Sequence, residues 1–554
     1  MYIKIKCARS DQGACTFDIC YNPHRGCLRG DRMNIEKDHM NIALRGVFIL
    51  TIAGLVTKIL SAAYRVPYQN IVGDIGFYIY QQVYPFYGMS VVLATSGFPV
   101  MISKVMSDLG HGKSEQDRSK IMSIAMIYLT IFGVALFFLL YIYSHPISII
   151  MGDAKLAPLI EISSFSFLLV PFVSLLRGYF QYEQNMQPTA VSQVVEQGFR
   201  VSFILISSYF FIHLGYDLYT AGWGALVSSV MGSIAGFSML LFLWRRNKKE
   251  RRLHWNLSAS IQAREIVLTL LKYSFSFGIT SLLLILIQLV DALHLYALLL
   301  HNGIDEEMAK VAKGVYDRGQ PLIQLGTVVA TSFALSLVPA IAQAKMQQNE
   351  DFIKEKLQIS LKLCLVIGAG AAGGLIALID PINMMLFKDI SGSKVLMILS
   401  GSILFTSICL TMFAVLQGLG YTFVPSIAVV IGVSFKYLGN IMLIPKYDVT
   451  GAAISSLVAY FVVALVMMVF IKVKGFSFPY IRTSCQIGMA IIIMVITLKL
   501  GLEYVGPETR AHSMIISLIG VFIGGIVYIV LILKMKVFSH SEIQYIPVIK
   551  KLFK

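Results

Sequence analysis

An all-α polytopic membrane protein is the fold class this sequence predicts, and three observations carry that reading. Of the 554 residues, 56% are hydrophobic and only 14% charged, against roughly 25% charged in a soluble domain. Apolar runs of about 20 residues recur along the chain, each long enough to cross roughly 30 Å of hydrocarbon at 1.5 Å per residue. Period-2 alternation is missing, which excludes a β-barrel. The mean hydropathy of +0.73 excludes a soluble enzyme. A net charge of +16 could suggest nucleic acid, but the basic residues sit in short loops between apolar runs. There they set orientation in the bilayer, and no nucleic-acid partner is expected.

Spans are expected near 43–67, 77–103, 121–143, 158–178, 190–212 and 220–244. A second set lies near 266–296, 320–343, 358–379, 394–417, 425–445 and 451–472, with two more near 483–500 and 512–534. That gives about 14 helices and five segments: 1–40, 41–244, a basic linker 245–265, 266–472 and 473–554. Lys and Arg crowd alternate loops, from Lys104–Lys120 through Arg245–Arg252 to the tail after Lys534. Both termini are therefore expected in the cytoplasm of a multi-pass cell-membrane protein.

The segment before the first span has no apolar run and is not a signal peptide. Cys7, Cys15, Cys20 and Cys27 crowd into it without a C-x-x-C spacing, so a zinc site finds little support. Codons AGG-GGN for Arg29-Gly30, shortly before Met33, would read as a ribosome-binding site, and residues 1–32 are expected to be untranslated leader. Cys364, Cys409 and Cys485 stand singly in apolar runs as small soft hydrophobes.

The chain repeats itself at an offset of about 236 residues: Pro85 with Pro321, Ala94-Thr95-Ser96 with Ala330-Thr331-Ser332, and Arg200 with Lys436. Each copy holds six spans, an even number, so the copies share one topology about an axis along the membrane normal. Two like lobes around a cleft form a V-shaped transporter architecture, with the last two helices added.

Polar residues inside spans are costly and usually face a cavity or one another. In the first span Thr51, Gly54, Lys58, Ser61 and Arg65 share one helical face. Lys58 lies too deep to snorkel, whereas Arg65 is expected close enough to the outer end to do so. Span five carries Gln193, Glu196, Gln197 and Arg200, with Glu196 and Arg200 placed as i,i+4 partners. Span seven carries Gln288 and Asp291; Asp291 has three readings, pairing with Lys58, binding a coupling cation, or lining the cleft. Asp317, Gln320, Gln324 and Thr327 mark span eight beside Arg318, and Lys436 shares a face with Asn440 in span eleven. These stripes are expected to converge on one wet central cavity. Lys58, Arg65, Arg200, Arg318, Gln288, Gln324 and Lys436 would line it for substrate, with Asp291 and Glu196 for ion coupling or charge pairing. Positive charge prevails there, which suits a phosphate-bearing anion. No Walker A, metal-ligand or nucleophile motif occurs, so no catalytic residue, metal or cofactor is expected. Coupling to the membrane potential or to a monovalent cation is.

The sequence resembles the MurJ and stage V sporulation protein B branch of the multidrug/oligosaccharidyl-lipid/polysaccharide exporter superfamily. The resemblance is carried by Arg45-Gly46, Thr57-Lys58-Ile59-Leu60 through Tyr64-Arg65 to Gly73, Gly97-Phe98-Pro99, Tyr316-Asp317-Arg318-Gly319-Gln320-Pro321-Leu322 and Leu337-Val338-Pro339. It implies a flippase of undecaprenyl-pyrophosphate-linked sugar, lipid II or a related polysaccharide precursor, with cell-wall synthesis proteins as partners. It also implies that Lys58 and Arg318 hold places of family cavity cations and that the last two helices extend a groove for the lipid tail. A further family arginine falls on Tyr64 here, with Arg65 one position later. A cation-coupled multidrug antiporter is the second reading, which Asp291 would suit. A membrane glycosyltransferase or polymerase is the third, and it lacks the soluble catalytic loop such an enzyme needs.

Overall fold

A computed structural model describes residues 5–9, 15–19, 50, 52–110, 112–246, 261–328, 341, 345, 350–476, 480–503 and 509–538. The N-terminal cysteines Cys20 and Cys27, most of the basic linker, the end of span eight and the C-terminal tail lie outside the described residues. Apart from an antiparallel hairpin, Ile5–Arg9 with Cys15–Ile19, the described structure is helical.

Among the described residues, ten helices are long and apolar enough to cross a membrane. Two of them hold a sharp break and so make two traverses each. Ile52–Gly110 turns at Gly73 (φ 71°, ψ −175°), a conformation open to little but glycine. Phe423–Val473 turns at Asp448, three residues after Pro445. Gln187–His213 is also of spanning length, its apolar character diluted by Gln193, Glu196, Gln197 and Arg200. The set is compatible with the expected fourteen.

Two boundaries differ from expectation for physical reasons. The first span continues past 67 to the corner at Gly73. Gln69 and Asn70 read as loop but are consumed by structure: Gln69 donates to Asp74 at 2.9 Å and Asn70 to the Leu386 carbonyl at 2.8 Å. Span eight opens at Glu306 rather than near 320, with Asp305 capping the first turn. Its charges are satisfied along the helix, Lys310 by Glu306 and Lys313 by Asp317 at 2.6 Å.

The internal repeat is visible in the helix starts. Ala157 and Ser393, and Gln187 and Phe423, open equivalent helices at the same offset of about 236 residues. Even the short segments Ser144–Ile150 and Ile379–Phe387, each between the third and fourth spans of its lobe, correspond. Tyr480–Glu503 and Arg510–Lys534 pack on the second lobe, where the Tyr528 ring abuts Gly370 and its hydroxyl donates to the Val366 carbonyl.

The lobes meet through spans two and seven. Each carries a π-helical turn, Leu93–Gly97 and Ser274–Gly278, and these turns face each other. A Cβ on Gly97 would come within 2.9 Å of Ser281 Oγ. On the membrane face that carries Gly73, a second and more polar junction joins the lobes.

Candidate functional site: three buried charge clusters

The first cluster lies inside the N-terminal lobe. Arg65 is fully buried and places its guanidinium 4.5 Å from the centroid of the Tyr84 ring. None of its three side-chain nitrogens meets a hydrogen-bond acceptor among the described residues. Arg200 crosses to the first span, donating to Ser61 Oγ at 3.3 Å between the rings of Tyr64 and Tyr87. Its Nε is likewise unpartnered. Ser61 lies one turn beyond Lys58, so Arg200 bridges the interval between Lys58 and Arg65. The tyrosines form a ladder: Tyr64 and Tyr80 hydroxyls stand 2.9 Å apart, and the rings of Tyr80, Tyr84 and Tyr87 follow at 5.9 and 6.4 Å.

Cation–π contact is worth roughly 2 kcal/mol in a desolvated site, but it leaves the formal charge in place. Among the described residues, no carboxylate lies within ion-pair distance of Lys58, Arg65 or Arg200. The expected Glu196–Arg200 pair is not formed. Glu196 instead binds Arg177 of span four at 2.8 Å, and Arg177 also reaches Ser192, Thr95 and the Ala94 carbonyl. Arg200 lies next to Glu196 along the helix surface but turns toward the first span, where the tyrosine faces compete for it. Nor does Arg65 snorkel. The continuation of the first span to Gly73 leaves it about 12 Å from the corner at 1.5 Å per residue, beneath Tyr84.

A second cluster lies in the C-terminal lobe. Asp291 pairs with Lys436 at 2.6 Å, not with Lys58. The Lys436 ammonium also reaches the Ala452 carbonyl, Ser455 Oγ and Ser456 Oγ at 2.8, 2.9 and 2.7 Å. Asn440 and Tyr316 donate to the Asp291 carboxylate at 3.0 and 2.7 Å. The repeat thus equates Arg200 with Lys436 and Tyr80 with Tyr316, yet among the described residues only the second lobe pairs that cation with an acid. Gln288 is buried just below Asp291 on the same helix, and Gln324 is partly exposed on span eight.

The third cluster joins the lobes. Arg318, fully buried, grips Asp74 through Nε and Nη2 at 2.7–3.1 Å and Asp389 through Nη1 and Nη2 at 2.8 Å. Asn383 accepts from the same guanidinium at 3.3 Å. Asp74 belongs to the first lobe and the others to the second. Gly314 makes the approach feasible, since a Cβ there would stand 2.2 Å from the Asp74 carbonyl oxygen. Arg318 is therefore committed to an interlobe clamp in this conformation, while Lys58 stays partly exposed with no partner among the described residues.

Arg177, Asp74 and Asp389 escaped sequence reading. Arg177 is a single charge in an apolar run, off every polar stripe; Asp74 and Asp389 read as loop acids. The tyrosine ladder did leave a signal, with Tyr80, Tyr84 and Tyr87 at helical spacing in one span. Among the described residues no cluster of His, Cys, Asp and Glu could hold a metal ion.

Two six-helix lobes of like topology, two extra helices and charge clusters buried at and between the lobes define a multi-pass membrane protein of transporter architecture. Residues 43–345 match the family described as polysaccharide biosynthesis protein, and the chain belongs to that family, in the MurJ and stage V sporulation protein B-like branch of its superfamily. It is 44% identical to the uncharacterized membrane protein YabM of Bacillus subtilis (strain 168), over 92% of this chain and 96% of that protein. It is 25% identical to the lipid II flippase MurJ of the same organism, over 88% of this chain and 94% of the relative. Stage V sporulation protein B matches at 26% identity over 92% and 98%. Among solved structures, the fold is similar to a lipid II flippase MurJ in an inward closed conformation, with a TM-score of 0.64 at 17% identity, covering 88% of this chain and 97% of that one. An inward-facing MATE-family multidrug transporter matches with a TM-score of 0.60 at 15% identity, over 77% and 98%.

Proposed function

We propose that the protein moves undecaprenyl-pyrophosphate-linked sugar, lipid II or a related polysaccharide precursor, across the cytoplasmic membrane by alternating access. The carrying observation is the first cluster. Lys58, Arg65 and Arg200 bring three positive charges to one lobe with no acid among the described residues within ion-pair distance of them. An isolated buried charge costs several kcal/mol, and a pyrophosphate with about two negative charges would repay much of that cost. Guanidinium groups match phosphate oxygens bidentately, whereas the lysine acts as a point charge. The neighbouring tyrosines offer hydroxyls and ring faces to the first sugar. The lipid tail stays in the bilayer while the head group crosses. The relative named as a lipid II flippase supports the same substrate class.

The residue that best suited cation antiport, Asp291, already holds Lys436. With both termini taken as cytoplasmic from the basic loops, the Gly73 corner and the Arg318 clamp would lie on the outer face. In this reading the structure is sealed outside. With the cytoplasm negative, outward transfer of net negative charge gains roughly 2.3 kcal/mol per charge per 100 mV, and we assign part of the driving force to the potential. Depleting the protein in cells and measuring which leaflet holds lipid II tests the proposal. Accumulation in the inner leaflet supports it, and an unchanged distribution in a strain without other flippases contradicts it.

A further inference from the structure

The Lys436 site is built more fully than a salt bridge requires. An ammonium has three N–H donors, yet four oxygens surround Nζ at 2.6–2.9 Å: Asp291 Oδ1, the Ala452 carbonyl, Ser455 Oγ and Ser456 Oγ. One carboxylate, one carbonyl and two hydroxyls form an all-oxygen shell of the kind hard cations take. A further layer fixes the shell, as outer partners do around a metal ion. Asn440 donates to Asp291 Oδ1 and accepts from Ser455, and Tyr316 donates to Asp291 Oδ2 while contacting Ser456 Oγ at 3.0 Å. Lys436, Asp291, Asn440, Tyr316, Ser455 and Ser456 are all buried. The shell draws on spans seven, eight, eleven and twelve, so whatever fills it holds the second lobe together.

We infer that Lys436 is a tethered cation: its ammonium permanently fills a cation position at Asp291, so the second lobe binds no sodium or potassium there, and removing the ammonium exposes a monovalent-cation site. The charge count supports this. One ammonium and one carboxylate leave the cage neutral, and a second cation beside the first would place two like charges a few ångströms apart in a dry interior. An ordinary stabilising ion pair would also tie the spans together, but it gives no reason for the emptied cage to select small cations. The inference is independent of the transported substrate, and its test uses none.

The full-length protein in lipid nanodiscs is unfolded thermally in sodium, potassium or choline chloride at equal ionic strength. The wild type is expected to have one midpoint in all three salts. Lys436→Ala is expected to melt lower in choline and to regain about 3 °C or more, saturably, with sodium or potassium, as mass action requires for a ligand of the folded state. Lys436→Ala combined with Asp291→Asn should ignore the choice of cation. A wild-type midpoint raised by sodium or potassium over choline would overturn the inference, as would a folded Lys436→Ala that ignores all three. If Lys436→Ala does not fold, the wild-type arm decides alone: indifference supports the tethered cation, and a response refutes it.

Discussion

Asp74→Asn removes one arm of the interlobe clamp without changing the shape of the side chain. In the wild type, Arg318 makes three contacts of 2.7–3.1 Å with the Asp74 carboxylate. Breaking a buried ion pair typically costs 3–5 kcal/mol because a charge is left uncompensated. Here the cost is smaller, since Asp389 still neutralises Arg318 and Asp74 is 19% exposed. About 2 kcal/mol is a fair figure, taken from the range for a charged hydrogen-bonded pair. Because the pair spans the lobes, that cost falls on the closed conformation alone. It should shift the closed-to-open ratio on the Gly73 face roughly 30-fold toward open, at 1.4 kcal/mol per decade. Spin labels at Lys155→Cys and Ile390→Cys, both exposed and on opposite lobes, report the separation by pulsed electron resonance. The background replaces exposed Cys485 and the N-terminal cysteines. A longer-distance population is expected to grow in Asp74→Asn. A folded variant whose distance distribution matches the wild type would refute the clamp.

Gly314→Ala should open the same face by a different route, because its methyl would collide with the Asp74 carbonyl at 2.2 Å; the same label pair checks it, and over-packing of this kind costs about 1–3 kcal/mol. Lys58→Ala should lower affinity for the anionic head by roughly 150-fold, a loss of about 3 kcal/mol, at normal protein level. Lys58→Arg should retain more export and Lys155→Ala nearly all of it, read as lipid export and protein abundance side by side. Arg177→Ala leaves the half-buried Glu196 without its cation and with Ser233 as its remaining donor, so protein abundance should fall as for a loss of about 2–3 kcal/mol, and Glu196→Gln added to it should restore abundance in the same immunoblot.

Much of the fold was legible because bilayer physics is written in composition and length: the spans, their even grouping and the 236-residue repeat all follow from apolar runs and matched positions. What was misread depended on contacts between distant segments. Span eight began early because Lys310 and Lys313 find acids one turn away along their own helix. Glu196 chose Arg177 of another span over its own i+4 arginine, a choice set by how spans four and five pack. Asp291 held three readings until Lys436 arrived from span eleven. The stripes put Lys58 and Arg65 on one face of the first span by helical spacing alone, and the contact that brings Arg200 to that span runs through Ser61. That Arg318 serves the junction between lobes could not be read, because Asp74 and Asp389 lie more than seventy residues to either side of it.

The most direct measurement reconstitutes the full-length protein in liposomes carrying undecaprenyl-pyrophosphate-linked saccharide in one leaflet and follows its appearance in the other. Wild-type protein is expected to move it, faster when the receiving side is made positive, and Arg200→Ala and Lys58→Ala, both incorporated normally, are expected to fail. Equal movement by the wild type and both variants would contradict the anion-binding account, and so would a wild type that leaves the pyrophosphate lipid in place while exchanging a small organic cation.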